Sequence, residues 1–133
     1  MSKDTVWQSA EVSRKYPNSP ELAAALLFQR ALLEGDQAAL EKAAELNPKL
    51  GEAQLLLGER ATDRGELDAA VRHLKQAVEL MPRKSNAWYA LAYAQQKRGD
   101  AAAARAALDQ ALRTATAPEQ FAMARALMES LGN

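Results

Sequence analysis

Apolar side chains in this chain fall on helical stripes, and glycine and proline cut the stripes at regular places. Near the C-terminal end Phe121, Ala124, Met128 and Leu131 recur three and four residues apart with Leu127 alongside, a spacing that puts them on one side of a helix opened by Pro118. Ala70, Leu74 and Ala77 form another stripe, and Ala104, Leu108 and Ala111 a third. Gly65 and Gly99 each follow an amphipathic stretch of about four turns, as expected of a residue that ends a helix in the left-handed conformation. Second helices then run from Leu67 to Leu80 and from Asp100 to Thr114, and Pro82 stops the first of them because proline cannot donate the next backbone hydrogen bond. Upstream, Ser19 as N-cap and Pro20 at the first helical position open a helix through Glu34. Asp4 to Tyr16 reads as a short helix presenting Val6, Trp7 and Ala10. Abundant alanine and few β-branched residues favour helix throughout, so the expected class is all-α.

The punctuation is periodic. Shifting the chain by 34 residues matches Ala53 with Ala87, Leu57 with Leu91, Gly65 with Gly99, Ala70 with Ala104, Leu74 with Leu108 and Ala77 with Ala111. The same shift joins Leu40 to Leu74, Ala43 to Ala77, Leu46 to Leu80 and Pro48 to Pro82, so about three units are expected. The first is irregular: Gly35 to Pro48 spans 13 positions where Gly65 to Pro82 spans 17, which predicts a second helix one turn shorter. Small residues at Ala70, Ala77, Ala104 and Ala111 mark places where two helix backbones approach closely.

Within the units, Leu57-Gly58, Ala61, Ala70, Leu74, Ala77 and Pro82, then Trp88, Leu91, Ala92, Ala104, Leu108 and Ala111, carry a spacing that resembles the tetratricopeptide repeat. The likeness is good over residues 51 to 114 and weaker over 17 to 50. Gln54 stands in place of the family's Trp, Leu74 and Leu108 in place of an aromatic residue, and Thr116 in place of the last Pro. The resemblance implies a right-handed α-solenoid in a single domain over 1–133: an N-terminal helix over 4–16, repeats over 19–48, 51–82 and 85–116, and a capping helix over 118–131. The cap is needed because an open solenoid leaves an apolar face in water.

Composition narrows the functions. Seventeen basic residues balance seventeen acidic ones, spread along the chain without a block of either sign, which argues against nucleic acid or an anionic membrane as the main partner. No segment approaches the ~18 apolar residues of a membrane span, and Met1 to Trp7 lacks the apolar stretch of a secretory signal. Cytoplasm is the expected compartment, or periplasm for a domain excised from a longer protein. Without cysteine there are no disulfides, thiolate ligands or cysteine nucleophiles. His73 is the only histidine, read as structural, and no metal-binding, nucleophile-elbow or phosphate-loop motif is present, so neither a cofactor nor an enzyme is expected. Glu59 and Asp63, one turn apart, read as a solvated acidic face.

A binding surface is what the resemblance leaves. In tetratricopeptide arrays the first helices line a concave groove, which here implies Glu52, Leu55, Glu59, Thr62 and Asp63, then Asn86, Tyr89, Tyr93, Gln96 and Lys97, with Ala25, Gln29 and Leu32 from the first unit. Leu55, Tyr89 and Tyr93 would form its apolar centre, and Trp88 would pack on the other side of its helix against the preceding repeat. The positions where one subfamily grips a chaperone's terminal carboxylate hold Ala25, Gln29, Leu56, Asn86 and Ala90, none of them basic. The expected role is an adaptor or scaffold that takes a peptide or helix of another protein with an apolar or aromatic anchor and neutral or basic flanks. The alternative is a structural or self-association module, such as a homodimer. The run Tyr16-Pro17-Asn18-Ser19-Pro20-Glu21 resembles the lead-in to a first helix in bacterial members of the family.

Overall fold

The computed structural model describes residues 14–15 and 18–132. Apart from Arg14 and Lys15, which are helical, the helix expected over 4–16 lies outside the described residues. The described part is all-helical: α1 (Pro20–Glu34), α2 (Gln37–Leu46), α3 (Gly51–Asp63), α4 (Leu67–Leu80), α5 (Ser85–Lys97), α6 (Ala101–Thr114) and α7 (Pro118–Ser130). The chain forms two compact units, one ending at Ala53 and one beginning at Gln54.

One local device ends the first helix of each pair. Gly35, Gly65 and Gly99 adopt φ of 66°, 79° and 91°, a region open to glycine because it has no Cβ. Each turn lets the following N–H reach back five residues: Asp36 to the Ala31 carbonyl at 3.3 Å, Glu66 to Ala61 at 2.9 Å and Asp100 to Gln95 at 2.9 Å. The next helix starts at once. Asp36 and Asp100 cap α2 and α6, their carboxylates accepting from the N–H of Ala39 and of Ala103 at 3.1 Å. Ser19 occupies the N-cap of α1 as its position implies, but its side chain makes no capping bond, and Pro20 alone shapes that start.

In the first unit α1 packs on α2, burying Ala23, Ala24, Leu27 and Ala31 against Ala39, Leu40 and Ala43. With 10 residues against the 14 of α4, α2 is one turn short. In the second unit α5 packs on both α4 and α6, and α7 packs mainly on α6. Ala70, Ala77, Ala104 and Ala111 are fully buried beside Leu74 and Leu108, which lets the helices approach as the small residues demand. Ser85 ties α5 to α6 by donating its hydroxyl to the buried Ala111 carbonyl at 2.8 Å.

The last helix is seated in repeat register. Gln120 Nε2 donates to Asn86 Oδ1 at 3.3 Å and Gln96 Nε2 to Ser130 Oγ at 3.2 Å, each bond joining residues 34 apart. So α7 stands to α5 as the first helix of a further repeat. Ala124 and Leu127 bury against the core with Met128 and Leu131 partly covered, and Arg105 holds the end of the helix through the carbonyls of Leu131 (3.3 Å) and Gly132 (2.6 Å). Phe121 departs from the expected stripe: it is 45% exposed, as is Met123 at 49%, because the buried face of α7 centres on Ala124 and Leu127.

Candidate functional site

Two first helices, α3 and α5, wall a recess of about 450 Å³ lined by Leu56, Glu59, Arg60, Thr62, Asp63, Tyr89, Ala90 and Tyr93. From α3 come residues three, four and seven positions after Leu56, which share one helix face. From α5 come Tyr89 and Tyr93, one turn apart, whose rings lie 9° from parallel with centroids 6.5 Å apart. Tyr89 packs against the core, whereas Tyr93 is 38% exposed. Lys97, a turn further along α5, holds its ammonium 5.3 Å from the Tyr93 ring centroid.

The acidic wall is electrostatically uncomfortable. Partial burial pushes the Glu59 carboxyl above its ordinary range, the Asp63 charge adds to that, and Lys84 opposes it. Although Glu59 reaches solvent, the wall of the recess keeps part of its hydration away. Thr62 contributes little polarity despite lining the recess, since it is buried and its hydroxyl donates to the Gly58 carbonyl at 2.9 Å.

The sequence-derived groove residues therefore divide. Glu59, Thr62, Asp63, Tyr89 and Tyr93 meet in the recess, with Lys97 at its margin. Leu55 does not reach it: at 8% exposure it belongs to the buried core, and its neighbour Leu56 takes its place. Successive residues are rotated by about 100° on a helix, so Leu55 and Leu56 straddle the edge between core and recess. Asn86 and Gln96 turn toward α7, where they are bound by Gln120 and Ser130, and do not line the recess. Glu52 is half-buried in the first turn of α3, and Ala25, Gln29 and Leu32 are exposed on α1; these four belong to the first unit. Leu56, Arg60 and Ala90 line the recess but are absent from the sequence-derived groove set, where Leu56 and Ala90 enter only as positions at which one subfamily grips a carboxylate; Arg60 is recognisable only once Leu56 fixes the face.

Away from the recess, Trp88 is half-buried against the core and donates its Nε1 proton to the Pro82 carbonyl at 2.8 Å. His73 has Nδ1 2.8 Å from Oε1 of the buried Gln54, which stands where the family has Trp; burial first, then the Arg72 charge, lower its pKa. A histidine so occupied acts within the fold. Among the described residues no group of His, Asp and Glu is placed to hold a metal ion, and no helix is long and apolar enough to cross a membrane.

A family model described as tetratricopeptide repeat matches residues 61–128, from the last turn of α3 into α7. No curated protein matches the chain.

Proposed function

Because the chain belongs to the tetratricopeptide repeat family, whose repeats are non-catalytic and generally mediate protein–protein interaction, we propose that it is an adaptor that binds a segment of a partner protein in the recess between α3 and α5. The observation that carries this reading is the Tyr89–Tyr93 stack, a preordered aromatic surface left half open on the wall of a recess. Such a surface offers contact area at little entropic cost, and aromatic anchors of this kind dominate binding energies. The occupant is a short peptide or one face of a helix, matched to a recess the size of a few side chains. Cytoplasm is the compartment that suits a cysteine-free chain.

The test compares the wild type with Tyr93→Ala as bait for partners identified from the native source. Proteins retained by the wild type should be lost by the variant, at a cost of roughly 2 kcal/mol or more in a direct titration, while the melting curve stays nearly in place. Undiminished affinity would place the binding surface elsewhere.

A second reading, association of two copies of the chain, draws on α7, where Phe121 and Met123 are about half exposed and Phe121 lines an open hollow with Thr116, Pro118, Ala122 and Arg125. Mass measured across a concentration series decides it: a dimer that Phe121→Ser abolishes supports the reading, and a monomer throughout removes it.

A further inference from the structure

The charges around the recess select one kind of occupant. Glu59 and Asp63 stand a turn apart on α3, and across from them lie the stacked rings of α5. Among the described residues neither carboxylate takes part in a hydrogen bond or a close ion pair. Of the basic groups near them, Arg60 lines the recess beside them and makes an interaction of its own, the Lys84 charge acts on Glu59, and Lys97 sits over Tyr93. The placement of Lys97 also shows that this tyrosine surface accepts a cation. The recess thus pairs two carboxylates, neither of them hydrogen-bonded, with an aromatic face that favours positive charge.

We propose that the segment bound here presents an arginine side chain, its guanidinium laid against the tyrosine stack and its N–H groups directed at Glu59 and Asp63. This rests on the recess being the binding surface. Arginine fits better than lysine because its planar head can stack on a ring while its fork meets two acceptors, and it is shed by water more readily than an ammonium. Leu56 and Ala90 supply the apolar wall along which the methylene stem runs.

A display library of random dodecapeptides, selected on the wild type and counter-selected on Tyr93→Ala, tests the proposal. Binders that require Tyr93 should be enriched in arginine and poor in Asp and Glu. In a synthetic copy of the best binder, replacing that arginine by glutamine should weaken binding about tenfold or more, and by lysine several-fold. Glu59→Gln with Asp63→Asn should erase the difference between the arginine and glutamine peptides; both positions are exposed, so the fold survives, and helix content with a melting curve verifies it. Binders that need Tyr93 but show no arginine excess, or whose arginine preference persists in the neutralised variant, overturn this inference and leave the recess as the binding surface. Binders indifferent to Tyr93, or none at all, overturn both.

Discussion

Leu74 packs directly on the backbone of Gly58: a Cβ built on the glycine would lie 2.4 Å from Leu74 Cγ. Leu74 is fully buried and cannot swing away freely. Alanine in a helix interior is favoured over glycine by roughly 1 kcal/mol, but overpacking a core costs roughly 1–3 kcal/mol, so the clash wins. Gly58→Ala should lower stability by about 1–2 kcal/mol. In a Leu74→Ala background, where the obstruction is gone, the same change should be neutral or stabilising by up to about 1 kcal/mol, a coupling that denaturant melts of the four proteins in the cycle would measure.

Neighbouring aromatics on α5 should behave differently. Trp88→Ala removes a half-buried ring and a hydrogen bond to Pro82, and should cost about 2–3 kcal/mol, below the roughly 3–5 kcal/mol of a fully buried Trp or Phe. Tyr93→Ala should cost no more than about 1 kcal/mol, mainly the lost stacking on Tyr89. Tyr89 also packs against the core, so Tyr89→Ala mixes folding with binding and is the poorer probe. Thermal melts of the three variants check the order.

Two titrating groups pull stability in opposite directions with pH. Glu59, raised above its ordinary value of 4.5, contributes stability that is complete below that value and is lost as pH rises through its folded value. His73, lowered below its ordinary value of 6.5, contributes stability that is present above that value and is lost as pH falls through its folded value. Glu59→Gln should therefore be slightly more stable than wild type at neutral pH and no more stable in acid, as melts at the two pH values would show. The imidazole of His73, followed by NMR, should titrate below 6.5; a midpoint at or above that value would contradict the burial argument.

Along α7 the buried and exposed apolar residues should separate cleanly. Leu127→Ala should cost about 2–4 kcal/mol, because it opens a cavity in the core. Phe121→Ala, at an open position, should change stability by about 0.5 kcal/mol. Removing Pro118 to Asn133 should strip the cover from the face of α6 that packs on α7 and cause aggregation or a marked fall in melting temperature.

Much of the fold is legible in the sequence because few residue types can do what its turns require. Gly65, Gly99 and Pro82 punctuate the helices wherever they fall, and the shift that pairs Ala70 with Ala104 identifies buried small residues without any structure. The recess is less legible. Whether Leu55 or Leu56 lines it depends on a rotation of one residue at the edge of a buried stripe, and two adjacent leucines give no clue. Asn86 and Gln96 look like groove residues until α7 supplies Gln120 and Ser130 as partners, a tertiary event that no local pattern encodes. The cation over Tyr93 is legible as an i, i+4 pair, but that Glu59 and Asp63 make no hydrogen bond among the described residues emerges only from the assembled structure.

The shortened α2 shows what lengths such a helix can take. The four missing positions fall between Gly35 and Leu40, where the next pair has nine steps from Gly65 to Leu74 instead of five. Four residues carry the helix through about 400°, so their loss turns the entry point by only about 40° relative to Leu40 and Ala43. Loss of two would turn it by about 200° and bring the chain in on the opposite side. Helix length in this architecture is thus a nearly discrete variable, and insertions or deletions will be tolerated in steps of about one turn.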